Sequence, residues 1–182
     1  MLIHKLSVTI SEYLELDFNY GRMELINGCV VESRFETPSH GYICANVGCA
    51  VQLVVRKNKL GTVVSNTCFV VTSKNPDSVR SPDVAYYSFS IVRNDPYPRS
   101  VWPAPELAFE VMSEHDQWSE MNAKAGEYLR ADVKVVCILD PGEAVLAVYQ
   151  PDQSPIRLGR DDTFAAPELF PDWSVPVREF LD

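Results

Sequence analysis

Apolar positions along the chain change their spacing several times, and each change marks an element. In "VTISEYLELDF", Thr9 stands as an N-cap with Glu12 three residues on and Tyr13, Leu14 and Leu16 nearby. That pattern predicts a short helix opened by a capping box. In "RMELINGCVVES" two strand-like runs flank Asn27-Gly28, a pair that accepts the positive φ of a tight hairpin. From Ser39 to about Lys57 apolar residues recur at Ile43, Val47, Ala50, Val51 and Val54, close to helical period, before Gly61. "GTVVS" and "CFVVT" read as strands, and "SKNPDSVRSP" reads as a loop from its Pro, Asn, Asp and Ser content.

The second half continues with a strand that begins at Asp83 in "RSPDVAYYSFS". A connection with four prolines follows, "RNDPYPRSVWPAPE", too irregular for an element and long enough to cover something. "ELAFEVMS" is predicted as a strand whose alternation sends Leu107, Phe109 and Val111 to one face and Ala108, Glu110 and Met112 to the other. "DQWSEMNAKAGEYLRA" reads as a helix with Trp118, Met121, Ala125, Tyr128 and Leu129 apolar, and "VKVVCILD" and "AVLAVYQ" as a strand pair across Pro141-Gly142. The tail mixes turns with a last short strand or helix. This order implies α/β or α+β, a central mixed sheet flanked by helices. With 182 residues and no linker-like segment, one domain over 1–182 is expected.

Composition narrows the classes. At 46% hydrophobic and 23% charged, the chain has the makeup of a globular protein. No apolar run approaches the roughly 20 residues of a membrane span. The N-terminus lacks a basic stretch followed by an apolar one, so a cytoplasmic protein is expected. Five cysteines without a CxxC pair read as buried, reduced thiols. The formal charge of -9 disfavours nucleic-acid binding through a basic surface, although a divalent cation supplies positive charge where phosphate must bind.

Two acids stand where burial is costly: Asp83 at the mouth of one strand, Glu110 inside another. Pairing of those strands would bring both carboxylates to one edge of the sheet, where like charges need a cation. Hard divalent ions take such oxygen ligands. The plainer alternative is that Asp83 caps a turn and Glu110 faces solvent. Lys124, on the helix after the Glu110 strand, either reaches back to the carboxylates or pairs with Glu120 one turn away.

The linked segments "RMELINGCVVES", "SHGYICANV", "SPDVAYY", "PELAFEVMSEHDQWSEMNAKAGEYLRADVKVVCILDP" and "LFPDWSVPV" resemble the Uma-two family, within the PD-(D/E)XK restriction-endonuclease-like superfamily. The resemblance runs from about Thr9 to Phe180. It implies a restriction-endonuclease-like core and a metal-dependent endonuclease acting on DNA. It further implies Asp83 after Pro82 and Glu110 as ligands to Mg2+ or Mn2+, with Lys124 assisting attack of water on a phosphodiester. The general superfamily pattern places a lysine where this chain has Met112, and the family pattern supplies one from the next helix, at Lys124. Glu24 matches a recurrent family acid, either a further carboxylate near the metal or a partner of Arg22. His40 also matches a family position, and reads as a helix cap or a phosphate-side contact. A homodimer would suit cleavage of both strands of a duplex.

Other constellations are weaker. Cys44 lies one helical turn from His40 but shows no third orienting group. His115-Asp116 lacks the further histidines of metal phosphohydrolases. Tyr97 and Trp102 suit either stacking on a base or covering the sheet. The competing class is a nuclease scaffold retained for nucleic-acid binding or assembly without turnover.

Overall fold

The computed structural model describes residues 7–16, 23–32, 37–66, 68–92 and 103–182. The capping box forms: the Glu12 N–H donates to Thr9 Oγ1 at 3.3 Å and the Thr9 N–H to the Glu12 carboxylate at 3.0 Å, opening α1 (Ile10–Leu14). Asn27 and Gly28 take φ of 51° and 76° and join β1 (Met23–Ile26) to β2 (Cys29–Glu32). Thr37 then caps α2 (Pro38–Asn58), which buries His40, Ile43, Cys44, Val47, Val51, Val54 and Val55 along one side. β3 (Gly61–Ser65) follows.

One expectation is corrected at the next segment. "SKNPDSVRSP" is largely strand, because β4 (Val70–Lys74) and β5 (Asp77–Arg80) pair antiparallel across Asn75-Pro76. Val79 is fully buried with Leu25 and Tyr13, and β5 also pairs with β1. Burial of Val79 and a second hydrogen-bonded neighbour outweigh a turn-prone composition, since strand preference is mostly a matter of context.

β6 (Val84–Ser88) leads to α3 (Phe89–Val92), β7 (Leu107–Val111) and α4 (Trp118–Arg130). Then come β8 (Val135–Asp140), β9 (Val145–Tyr149), β10 (Ile156–Gly159), β11 (Thr163–Ala165), β12 (Ser174–Pro176) and α5 (Arg178–Leu181). The central layer is a six-stranded mixed sheet in the order β10-β9-β8-β7-β6-β3. Its β7-β8 pair is parallel and its other pairs are antiparallel. A parallel pair needs a crossover, and α4 supplies it. A second sheet, β2-β1-β5-β4, is antiparallel, and β11 and β12 form a small hairpin. The tail therefore holds two strands as well as a helix beyond β10.

Period-two alternation sorts the central strands between two cores. Val84, Tyr86, Leu107, Phe109, Val111, Val135, Cys137 and Leu139 pack with α2 and the tail residues Phe164, Phe170 and Phe180. Ala85, Tyr87, Ala108, Met112, Val136 and Ile138 pack with Met121, Ala125 and Tyr128 of α4. Burying side chains of this size contributes about 1.5–3 kcal/mol each, which holds both helices against the sheet. None of the five cysteines is in a disulfide; Cys44, Cys68 and Cys137 are buried, while Cys29 and Cys49 are exposed rather than buried as expected. Tyr97, Trp102 and Arg22 lie outside the described residues.

Candidate active site

The chain passes from one sheet to the other through Arg80, Ser81, Pro82 and Asp83, between β5 and β6. This crossing meets the end of β7, where Val84 pairs with Phe109. The Asp83 N–H donates to the Phe109 carbonyl at 3.0 Å, and the Val111 N–H donates to Asp83 Oδ2 at 2.7 Å. Asp83 is 2% and Glu110 4% exposed, so both carboxylates are taken from water and each needs compensation.

Glu110 finds its partners on α4. Tyr128 donates its hydroxyl to Glu110 Oε1 at 2.6 Å, and Lys124 Nζ lies 2.9 Å from the same oxygen. Lys124 Nζ is also 3.1 Å from Glu24 Oε1, so this lysine bridges a strand of each sheet. Glu24 in turn accepts the Ser81 N–H at 3.0 Å and pairs through Oε2 with Arg80 at 3.0 Å. The Arg80 guanidinium meets Glu127 of α4 with two nitrogens, at 2.7 and 2.9 Å. Burial works to raise the Glu24 carboxyl, but the Lys124 and Arg80 charges and the Ser81 N–H outweigh it and hold its pKa below the ordinary 4.5. Burial and Arg80 act in the same opposed way on Glu127, whose pKa is also lowered.

Asp83 is compensated from α2. His40 Nε2 lies 3.4 Å from Asp83 Oδ2 and donates to the Val111 carbonyl at 3.0 Å. Cys44 Sγ stands 3.5 Å from His40 Nδ1. Burial pushes the imidazole down, yet the hydrogen bond to Asp83, together with Cys44, lifts it to about 11. Among the described residues, His40, Cys44 and Asp83 form a group of three whose ligand atoms lie within 4.8 Å of one another.

The structure thus brings Glu24, Glu110 and Lys124 into one network and sets Asp83 in an adjoining one, linked through the Glu110–Val111 peptide. Tyr128, Arg80 and Glu127 had no place in the sequence-based site. Tyr128 follows Lys124 by four residues and shares its helix face, which was a readable signal. Arg80 carried none, because its partners come from β1 and α4. His115 is exposed beside Glu114, and Asp116 accepts the Ser113 N–H and hydroxyl at 2.7 and 2.9 Å as a turn cap.

A mixed sheet between helices, with a proline-aspartate at the mouth of one strand and a buried glutamate on its neighbour, defines a restriction-endonuclease-like protein. The family model described as "Uma2: Putative restriction endonuclease" matches residues 10–178, and the chain belongs to that family. Among solved structures it is similar to a "putative nuclease belonging to DUF820" from Anabaena variabilis ATCC 29413. The two share 16% identity and a TM-score of 0.84, over 96% of this chain and 97% of the other. At that identity the likeness speaks for the fold. No curated protein matches the chain.

Proposed function

We propose that the chain, as one nuclease-like domain over 1–182, is a metal-dependent endonuclease that hydrolyses DNA phosphodiester bonds. The observation that carries this reading is Lys124, held 2.9 Å from Glu110 and 3.1 Å from Glu24 although it comes from the helix after the glutamate strand. An ammonium group held between two buried carboxylates is placed to offset charge that develops on a phosphate bound there.

Asp83 and Glu110 would hold Mg2+ or Mn2+, since both are buried carboxylates, the hard oxygen ligands such ions take. When bound, the ion supplies Lewis-acid stabilisation of charge on the phosphoryl group and a more acidic water. Lys124 orients the attacking water or offsets negative charge as it develops. Tyr128 keeps the Glu110 carboxylate in one orientation. Glu24 is an accessory that places Lys124, with Arg80 holding Glu24 from behind.

A non-catalytic scaffold that binds nucleic acid or assembles with other chains is the second reading. It is favoured by the charge balance: Lys124 and His40 already accompany the two acids, so the fold closes without an ion. A cytoplasmic setting agrees with five cysteines outside any disulfide, which reducing conditions preserve. Among the described residues no helix is long and apolar enough to cross a membrane. A homodimer would place two sites on a duplex.

The test is nicking of supercoiled plasmid in Mn2+, in Mg2+ and in chelator by wild type, Asp83→Asn and Glu110→Gln. Metal-dependent nicking by wild type that both substitutions abolish is the expected result. Cleavage at equal rate by Glu110→Gln would overturn the role of Glu110, and none by wild type in either metal would favour the scaffold.

A further inference from the structure

We propose that His40 is itself a ligand to the divalent ion beside Asp83, through Nε2, and that Cys44 holds the imidazole in place. The site would then prefer a transition-metal ion such as Mn2+ over Mg2+. This rests on the reading of Asp83 as a metal ligand and adds to it a nitrogen donor from a different helix.

Spacing is the first argument. Ligand atoms about 2.1 Å from one ion and at right angles to each other stand about 3.0 Å apart. His40 Nε2 is 3.0 Å from the Val111 carbonyl oxygen and 3.4 Å from Asp83 Oδ2, so the three atoms lie as neighbouring corners of a coordination shell. These distances also suit hydrogen bonds, but a single N–H cannot point well at both oxygens. With the Nε2 proton displaced by an ion, the same three atoms would surround that cation.

The second argument is the other side of the ring. Metal-bound imidazoles almost always have their second nitrogen held by a neighbouring group, which fixes the tautomer. Cys44 Sγ, 3.5 Å from Nδ1 and one turn further along α2, occupies that place. Thr37, whose Oγ1 accepts the His40 N–H at 3.2 Å, anchors the backbone from which the ring projects.

Access is the third. A cleft of about 340 Å³ runs between α2 and β3, with Gly41, Cys44, Ser65 and Asn66 in its wall. The cleft thus reaches the group at Cys44, and its Asn66 wall donates an N–H to the Asp83 main-chain carbonyl at 3.0 Å. An ion with six waters of roughly 30 Å³ each needs about 180 Å³, so the cleft is large enough to admit one hydrated. Mg2+ favours oxygen donors alone, whereas imidazole raises affinity for ions later in the first transition row.

The experiment is Mn2+ binding by calorimetry together with electron spin echo spectroscopy of the Mn2+-loaded protein, with and without inorganic phosphate. Wild type is expected to bind Mn2+ stoichiometrically and to show nitrogen hyperfine coupling from a directly bonded imidazole. His40→Gln is expected to lose that coupling and to weaken Mn2+ binding about tenfold or more, with Mg2+ affected less, and Cys44→Ser about tenfold. Because the coupling is read on wild type, the result does not depend on either variant folding. Mn2+ binding that Asp83→Asn removes but that carries no nitrogen coupling would overturn the His40 assignment and leave the Asp83 reading intact. Absence of Mn2+ binding by wild type under both conditions would overturn both. A thiolate-to-metal charge-transfer band in the Co2+-loaded protein would make Cys44 a ligand and overturn its positioning role.

Discussion

Lys124 Nζ and the Tyr128 hydroxyl meet at one atom, Glu110 Oε1, at 2.9 and 2.6 Å, from successive turns of α4. One helix face therefore sets both the charge and the orientation of the strand-borne carboxylate. Lys124→Met should leave Glu110 and Glu24 close together without their shared cation and cost about 3 kcal/mol, the low end for breaking a buried pair. Urea unfolding in chelator measures it. Manganese should recover part of the loss, because an ion bound to the folded state restores positive charge there.

Tyr128→Phe removes one hydroxyl donor and little volume. We expect a stability loss of about 1.5 kcal/mol, that of a hydrogen bond to a charged group, and a fall in kcat with KM nearly unchanged. Plasmid-nicking kinetics would show whether the loss falls on kcat. A variant with wild-type kcat would leave Tyr128 a purely structural role.

Acid should unfold the protein partly through Glu24. Its folded pKa is lowered from 4.5, so its contribution is present above the unfolded value and is lost as pH falls through the folded one. Glu24→Gln should therefore be less stable than wild type above about pH 4.5 and converge on it in stronger acid. Chemical denaturation across pH 2 to pH 7, about the range over which carboxylates titrate, gives the two curves.

Gly61 opens β3 opposite Ser88, and a Cβ there would fall 1.9 Å from the Tyr87 carbonyl oxygen. The clash is with backbone, so the strand pair must shift rather than a side chain turn aside. Gly61→Ala should cost about 3 kcal/mol, the upper range for overpacking. Thermal melts of the two proteins decide this, and an unchanged melting temperature would show that β3 moves freely.

Alternation in "ELAFEVMS" assigned Glu110 to the face opposite Leu107, Phe109 and Val111, and that is the face α4 covers. The Thr9 capping box, the Asn27-Gly28 turn and the long helix from Pro38 were legible for the same reason, since each depends on residues within a turn or two of one another. "SKNPDSVRSP" was misread because what makes Asp77–Arg80 a strand is burial of Val79 against Leu25, far away in sequence. The protein cations beside Asp83 and Glu110 were not legible, because they come from elements placed only by the fold. Lys124 stands beside Glu110 and His40 beside Asp83.

By itself the sequence determined which residues could be buried acids, which faces their strands offered and which helix followed each, because periodicity and local turns are properties of neighbouring residues. Tertiary structure alone decided that Lys124 of α4 joins Glu24 and Glu110 from two sheets, that Arg80 clamps Glu24 to Glu127, and that His40 and Cys44 close on Asp83. Those contacts join positions up to 100 residues apart, as Glu24 and Lys124 are. They exist only once sheet order and the crossing at Ser81-Pro82 have placed the strands, and no local pattern encodes that order.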